Sequence, residues 1–381
     1  LSDTIDEEDE TVRVTLSNPI NVTLNDSEGI LTITDNDTAP TISIADSIIP
    51  NENGVVRETT VTLSEPSEKT VTVNYSTVDG TASSANDYVS ASGTITFNPT
   101  DTSETIGVLI VQESPPLVEL AETFSIVLDT PVNATIADGT AVMTITDDDG
   151  TPTLSVAAVS ANESAGTLTA TISLSAPSSQ AVTVNYETVA SGTATHTSDY
   201  TTSSGSLSWI AGNNDDKTVN IPLIADGVDE ENETFTFTLT SASNAAVSDS
   251  AGSATMTIED AAGDIPPTIS INDITVSETA GTANFTASLS GSISEKTITA
   301  NYATSDDTAE AGLDYTAKSG TITFEPGIRS QNISVSIISD TLDEADETAK
   351  ITLSNLSNVT QSDLDGILTI TDNDAGVCVS I

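Results

Sequence analysis

Hydrophobic and polar residues alternate with a period of two along most of the chain. The segments KTVTVNYSTV (69–78) and GTITF (93–97) show this pattern, with Val, Ile or Phe separated by Thr, Asn or Ser. Gly, Asn, Asp and Pro separate such segments. This periodicity is typical of strands with one buried face. We therefore predict an all-β chain with almost no helix.

The strand pattern itself repeats along the chain. The motif VTVNY occurs twice and ITANY once, and an Asp-Tyr pair follows each copy. The Asp residues of these pairs, Asp87, Asp199 and Asp314, are 112 and 115 residues apart. Residues 1–44 also match residues 338–381 without a gap, at 27 of 44 positions. Self-similarity at a fixed period indicates tandem copies of one structural unit.

The register of these copies divides the chain into five segments. Each complete copy has room for about seven strands, which fits an immunoglobulin-like sandwich of two antiparallel sheets. Pro stands just before each new strand, which favours short, stiff linkers and an extended rod. The predicted segments are a partial first repeat at 1–37, complete second, third and fourth repeats at 38–149, 150–262 and 263–374, and the first strand of a fifth at 375–381.

Few residues are candidates for other roles. Phe97, Trp209 and Phe324 share one repeat position and are predicted to be core aromatics. Cys378 is the single cysteine, which excludes an internal disulfide, and we expect a half-buried structural thiol. His196 lies near Ser and Asp in one repeat only, so we expect no catalytic activity. The chain starts inside a repeat at Leu1 without Met, so we expect a piece of a longer protein.

Charge restricts the possible partners. The chain has 58 acidic and 8 basic side chains, for a formal net charge of -50. Nucleic acid and anionic membrane surfaces are excluded as partners, because both require cationic groups. Direct membrane insertion is not expected either, because no apolar run approaches about 18 residues. Metal cations or high external salt are the natural counterpart of this charge.

The carboxylates recur at four fixed points of the repeat. A Glu precedes the first Gly turn, and an Asp precedes the Tyr. An acidic cluster follows, with the spacing Asp, four residues to Glu and three more to Glu, and an Asp-x-Asp pair then closes the last strand. In this order the residues are Glu52, Glu163 and Glu278; Asp87, Asp199 and Asp314; Asp3, Glu7 and Glu10, Asp226, Glu230 and Glu233, and Asp340, Glu344 and Glu347; and Asp35 and Asp37, Asp147 and Asp149, and Asp372 and Asp374.

The order DY…SGTITF…D…E..E…L…ITDND resembles the Calx-beta domain over the whole chain. This family is named after the calcium-sensing repeats of sodium-calcium exchangers and is common in large bacterial surface proteins. The resemblance implies that the four acidic points converge at one end of a sandwich and bind calcium (Ca2+). The chemistry agrees, because Ca2+ takes six to eight oxygen ligands, whereas zinc and copper favour His and Cys. The alternative is that the acidic loops only keep the protein soluble.

The second repeat departs from this pattern in its acidic cluster, which reads ESPPLVELAET. Pro115 stands where we expect the first Asp, while Glu119 and Glu122 remain and Glu113 is nearby. We therefore expect the second repeat to bind calcium more weakly, or differently, than the fourth repeat, which keeps every acidic point.

The third repeat departs in its closing pair. Asp260 is kept, Ala262 replaces the second Asp, and Asp264 is a candidate substitute from the linker. Two acids of the cluster 340–348 are not assigned to metal by this comparison. Asp343 recurs as Asp6 and Asp229 with an open role, and Asp346 is assigned to solvation.

These features predict a calcium-binding structural segment of a large bacterial protein that is secreted or exposed at the cell surface. An adhesin stalk, an extracellular fibre or a sheath component would fit, with calcium at the domain ends stiffening the chain. The expected partners are calcium ions, neighbouring repeats, and copies of the chain or other surface proteins. The alternatives are a regulatory calcium sensor of a membrane transporter and an adhesive module that binds a ligand.

Overall fold

The structure is a computed structural model that describes residues 3–114 and 116–375. Strands dominate the described residues, and their helical segments are two short 3-10 turns, Glu163–Ala165 and Glu278–Ala280. No helix in these two ranges is long and apolar enough to cross a membrane. The all-β prediction is confirmed. Pro115, Cys378 and the strand predicted at 375–381, apart from Ala375, lie outside the described residues.

The first repeat contributes a two-stranded antiparallel hairpin, and the second repeat is a sandwich of two sheets. The four-stranded sheet has the order β10-β3-β5-β8, and the five-stranded sheet has the order β4-β11-β9-β6-β7, with the bounds that follow. The strands are β1 (Glu10–Thr15), β2 (Glu28–Ile33), β3 (Thr41–Ile44), β4 (Ser47–Ile49), β5 (Val56–Leu63), β6 (Val71–Asp79), β7 (Ser92–Phe97), β8 (Ser103–Leu109), β9 (Glu122–Val132), β10 (Thr135–Asp138) and β11 (Thr140–Ile145).

The third repeat has the same two sheets, in the orders β17-β14-β12-β20 and β13-β21-β19-β15-β16. A further short strand, β18, lies at the junction with the fourth repeat. The strands are β12 (Thr153–Val156), β13 (Val159–Asn162), β14 (Thr167–Leu174), β15 (Val182–Val189), β16 (Ser204–Trp209), β17 (Lys217–Pro222), β18 (Val228–Asp229), β19 (Glu233–Ser243), β20 (Ala246–Val247) and β21 (Ser253–Glu259).

The fourth repeat again has these sheets, in the orders β28-β24-β22-β30 and β23-β31-β29-β26-β27. Its short strand β25 pairs with β18 of the third repeat. The strands are β22 (Thr268–Ile271), β23 (Ile274–Ser277), β24 (Thr282–Ser290), β25 (Ile293–Ser294), β26 (Ile298–Asp306), β27 (Ser319–Phe324), β28 (Ser330–Ser336), β29 (Glu347–Ser357), β30 (Thr360–Asp363) and β31 (Asp365–Thr371).

The first strand of each complete repeat is broken, and its two halves join different sheets. In the second repeat β3 pairs in parallel with β10, and β4 pairs in parallel with the last strand, β11. The other strand pairs of this repeat are antiparallel. The strand count exceeds the predicted number of about seven because the broken strand counts twice and short strands such as β10 are added.

Each complete repeat has its own hydrophobic core between its two sheets. Phe97, Trp209 and Phe324 are fully buried in these three cores, which confirms their prediction as core aromatics. The Tyr that follows the loop Asp is buried as well; the ring of Tyr88, for example, stacks on Phe124 with centroids 4.1 Å apart. The loop that carries the Asp is thereby anchored to the core.

Candidate metal sites at the repeat ends

Strand register brings the distant acids of the fourth repeat to one edge of its five-stranded sheet. In the antiparallel pair β29–β31, Glu347 lies opposite Ile370, two residues before Asp372. In the parallel pair β23–β31, Ser277 lies opposite Thr371, so Glu278 follows at the same edge. The first, third and fourth acidic points therefore meet through backbone pairing alone.

The loop Asp is fixed by a turn of its own. In the fourth repeat the backbone amide of Glu310 donates to Asp314 Oδ2 at 2.7 Å, and Ile338 N donates to the Asp314 carbonyl at 2.9 Å. Asp87 and Asp199 accept equivalent amide bonds in the second and third repeats. One carboxylate oxygen is thus held in place, and the loop is joined to the segment that leads into the acidic cluster.

All four acidic points of the fourth repeat line one cavity. Six of the seven predicted residues form its wall, namely Glu278, Asp314, Asp340, Glu344, Glu347 and Asp372. The seventh, Asp374, lies close enough to Glu278 to raise the pKa of its carboxyl group. The structure therefore brings together the complete set that the sequence predicts for this repeat.

The crowded carboxylates retain protons to an unusually high pH. Burial, and then the hydrogen-bonded Asp314, raises the pKa of Glu347 to about 7. Burial and Asp199 raise the pKa of Glu233 in the same way to about 8. Burial and then Asp374 raise the pKa of Glu278 to about 7. A cation bound at such a pair would stabilise the charged form of both carboxylates.

In the second repeat, the position of the first cluster Asp is taken by Glu113, not by Pro115 as predicted. The backbone amide of Val111 donates to the carbonyl of the loop Asp at 2.9 Å, as does Ile224 in the third repeat. Two residues further on stand Glu113 and Asp226. The segment from this acid to the last Glu of the cluster is two residues longer in the second repeat than in the third. The fixed spacing to the last Glu therefore pointed to Pro115 instead of Glu113.

Acids of the second repeat form overlapping groups, and within each group the ligand oxygens lie within 4.8 Å of one another. Burial, and then the charge of Glu113, raises the pKa of both Glu52 and Glu119 to about 7. Asp149 lines the same cleft as Glu52 and Glu113, and its amide donates to Asp147 Oδ1 at 3.2 Å. These groups include Glu52, Glu113 and Glu119, and Asp87, Glu119 and Glu122.

In the third repeat, Asp264 from the linker joins the acids as the sequence suggested. Burial, and then the neighbouring Asp264, raises the pKa of Glu163 to about 7. Glu163 Oε1, Asp260 Oδ1 and Asp264 Oδ2 are buried and have no hydrogen-bond partner among the described residues. The groups within 4.8 Å are Glu163, Asp260 and Asp264; Glu163, Asp226 and Glu230; and Asp199, Glu230 and Glu233.

The first repeat contains the last two acidic points in one cleft, lined by Asp3, Glu7, Glu10, Asp35 and Asp37 together with neighbouring residues. Its closing pair has the same turn as the second and fourth repeats, since Asp37 N donates to Asp35 Oδ1 at 3.1 Å.

Asp346 does more than contact solvent, contrary to its assignment from the sequence. Its Oδ1 accepts the backbone amide of Asp372 at 3.3 Å. In the first repeat Asp9 accepts the amide of Asp35 at 3.0 Å in the same way. This acid therefore positions the closing Asp-x-Asp turn.

The donor set fits a hard cation. Every residue of the groups named above is an Asp or a Glu, so each group offers carboxylate oxygens from several loops. Calcium accepts six to eight such oxygens in flexible geometry. Asp374 Oδ2 in the fourth repeat is also buried and has no hydrogen-bond partner among the described residues. This oxygen and the three in the third repeat are therefore suited to binding a metal. The residues present thus fit calcium, and the loop Asp and the closing pair are the most firmly positioned of the candidate ligands.

The family model for the Calx-beta domain matches the chain three times, at residues 35–149, 146–262 and 264–377. Among solved structures, CBD12 from CALX1.2 is 19% identical over 57% of this chain and 99% of its own, with a TM-score of 0.28. The apo-form Calx CBD1 domain is 28% identical over 29% of this chain and 99% of its own, with a TM-score of 0.27. The calcium binding domain CBD12 of CALX1.1 is 22% identical over 54% of this chain and 80% of its own, with a TM-score of 0.28.

No curated protein matches the chain. With such low TM-scores, the assignment rests on the three sequence matches, which together cover most of the 381 residues. The chain therefore belongs to the Calx-beta family of calcium-binding domains.

Proposed function

We propose that the chain is a structural segment whose repeats bind calcium at their ends and are stiffened by it. The observation that carries this proposal is the cavity of the fourth repeat, where Asp and Glu from four distant points of the sequence form one wall. Such a set is costly to keep charged without a cation, because like charges near a protein surface repel by several kcal/mol.

Calcium would affect more than one loop. The closing Asp-x-Asp pair stands at the join to the next repeat, and Asp260 of this pair in the third repeat contacts Lys296 of the fourth at 3.4 Å. A ligand that orders Asp260 would also order this contact. Site and joint are therefore expected to stiffen together.

The setting that we propose is the outside of a bacterial cell. A net charge of -50 and tandem copies of one domain suit an adhesin stalk, an extracellular fibre or a sheath component. Extracellular modules bind calcium with dissociation constants of about 10⁻⁴ to 10⁻³ M. At ten times the dissociation constant, one site adds only about 1.4 kcal/mol to stability, so many repeats are needed for a large effect.

The test is calorimetric titration of the whole chain with calcium, together with melting curves in calcium and in chelator. We expect heat of binding and a higher melting temperature in calcium. An absence of heat with unchanged melting would overturn the proposal and leave solubility as the role of the acids. Binding near 10⁻⁶ M would favour a regulatory calcium sensor of a membrane transporter instead.

A further inference from the structure

Asp229 of the third repeat is buried in a specific contact with the fourth repeat. Its Oδ2 accepts the hydroxyl of Ser294 at 2.8 Å, and its Oδ1 lies 2.8 Å from Lys296 Nζ. The backbone amide of Glu295 donates to the Asp229 carbonyl at 3.0 Å. Asp229 is only 2% exposed. A Ser-x-Lys turn of one repeat thus binds a single Asp of the preceding repeat.

The joint between the first and second repeats is built in the same way. Asp6 Oδ2 accepts the hydroxyl of Ser67 at 3.1 Å, and Asp6 Oδ1 lies 2.9 Å from Lys69 Nζ. Glu68 N donates to the Asp6 carbonyl at 3.1 Å. In both joints the lysine also approaches the first Asp of the closing pair, at 3.6 Å from Asp35 in this case.

The joint between the second and third repeats lacks both charges. Val118 stands at the position of the Asp, and Gln180 stands at that of the Lys. The backbone contact is kept, because Val118 pairs with Ser178 and Ser179 N donates to the Val118 carbonyl at 2.9 Å. Beside it lies an open cleft of about 300 Å³, which Val118 and Gln180 help to line. All three joints therefore share the backbone contact, and two of them add an ion pair between an Asp of one repeat and a Lys of the next.

The fourth repeat ends in the charged form of this surface. Its loop reads DTLDE, against DTIDE in the first repeat, and Asp343 stands at the position of Asp6. Asp343 is exposed, whereas Asp6 and Asp229 are buried by their partners. Asp372 stands at the position of Asp35, the second carboxylate that the lysine approaches.

We propose that the surface formed by Asp343 and Asp372 is a docking site for a Ser-x-Lys turn at the end of another repeat of this type. A repeat with Ser-x-Gln would leave Asp343 buried without a cation, and a buried charge without its counter-charge is strongly unfavourable. The surface therefore selects which repeats follow or dock.

The test extends the full chain by a copy of residues 38–149, joined directly after Asp374, which reproduces the sequence order of the first joint. A carbodiimide in chelator then links carboxylates to amines that are in direct contact, and mass spectrometry identifies the links. The links Asp6–Lys69 and Asp229–Lys296 serve as internal standards. We expect a link between Asp343 and the copied Lys69 with a yield similar to theirs.

Two variants separate a specific contact from general attraction between charges. D343N should lower the yield of links to the copied Lys69 by about tenfold or more, since close interfacial charge pairs couple by more than about 1.4 kcal/mol. D363N removes the same charge at an exposed position of the fourth repeat outside the candidate calcium site and should leave the yield unchanged. Equal effects of D343N and D363N, or no link at Asp343 while both standards form, would overturn the proposal. The melting of the copied repeat shows in each variant that it is folded.

Discussion

The ammonium of Lys296 lies 2.8 Å from Asp229 and 3.4 Å from Asp260, so one side chain of the fourth repeat holds two carboxylates of the third. Asp229 belongs to the joint, whereas Asp260 belongs to the candidate calcium site. The lysine is largely buried, with 17% of its side chain exposed. The joint and the metal site are therefore not independent parts of the molecule.

Replacing this lysine should loosen the joint. We expect Lys296→Met to destabilise the contact between the third and fourth repeats by about 2 to 4 kcal/mol, because Asp229 is left buried without its cation. Calorimetric melting in chelator measures the effect. The control is Lys350→Met, which breaks an ion pair of similar length whose partners are 45% exposed and should cost less than about 1 kcal/mol. Equal losses in the two variants would contradict the buried role of Lys296.

The closing pair of the fourth repeat should be essential for its calcium binding. Replacing both Asp372 and Asp374 by Asn removes two charges from the cavity wall, so we expect the titration to lose the binding of this repeat and keep that of the others. Asp363 and Glu325, exposed acids of the same repeat, replaced by Asn and Gln, provide a control with the same change in charge. An unaltered titration of the first variant would show that the site is assigned to the wrong residues.

Glu113 should be a ligand of the second repeat. Glu113→Gln keeps the size of the side chain but removes a carboxylate that lies close to Glu52 and Glu119. We expect about tenfold weaker calcium binding in this repeat, since affinity follows the number of charged ligands. Glu65→Gln changes an exposed acid of the same repeat and should leave the titration unchanged. Equal affinities for the two variants would exclude Glu113 from the site.

Without metal, the protein should lose stability as the pH rises from about 4.5 to about 7. Burial and neighbouring carboxylates raise the pKa of Glu52, Glu230 and Glu347 to about 7 in the folded state, against 4.5 for the free side chain. In this window the folded chain binds more protons than the unfolded chain, so raising the pH favours unfolding.

Calcium replaces these protons, so its stabilising effect should grow over the same range of pH. Melting temperatures at pH 5 and pH 7.5, in chelator and in saturating calcium, measure both trends. A melting temperature in chelator that stays constant or rises with pH would contradict the raised pKa values of these carboxylates.

The buried tyrosines of the three complete repeats should respond differently to the loss of their hydroxyl. Tyr315 donates to Asp306 at 2.6 Å, and Tyr88 donates to Asp79. Tyr200 Oη is buried without a partner among the described residues, and Ala190 stands where the other repeats have the acceptor Asp.

We therefore expect Tyr315→Phe and Tyr88→Phe each to cost about 1 to 2 kcal/mol of stability, because a carboxylate loses its hydrogen bond. Tyr200→Phe should be neutral or stabilising, because it removes a hydroxyl that is buried without a partner. Thermal unfolding of the three variants in calcium checks this order. A loss in Tyr200→Phe as large as in the other two would show that its hydroxyl has a partner.

The sequence predicted the fold class and much of the clustering of acids because both follow from repetition. Glu278 and Asp372, for instance, recur at fixed positions, and strand pairing then brings them to one edge. Glu113 was not assigned, because a loop two residues longer breaks the count from the following strand. The match of Glu113 to Asp226 is visible only from the backbone hydrogen bond of Val111, which lies before the two extra residues.

Contacts between repeats were outside the reach of this reasoning. Asp343 and its counterparts recur as regularly as the candidate ligands, and periodicity does not distinguish a metal ligand from a residue that binds the next domain. The structure distinguishes the two roles, because Ser294 and Lys296 of the next repeat both contact Asp229. Similarly, Asp346 lies next to a predicted ligand in sequence, but its carboxylate accepts a hydrogen bond from the backbone amide of Asp372.

The broken first strand has a mechanical consequence. In the second and fourth repeats its second half, β4 or β23, runs parallel to the last strand, β11 or β31. Tension applied to the two ends of a repeat pulls these neighbours in opposite directions along a common axis. The hydrogen bonds between them must then shear together, whereas bonds at a hairpin edge unzip one at a time. Each of these repeats therefore carries a clamp against pulling between its own first and last strands.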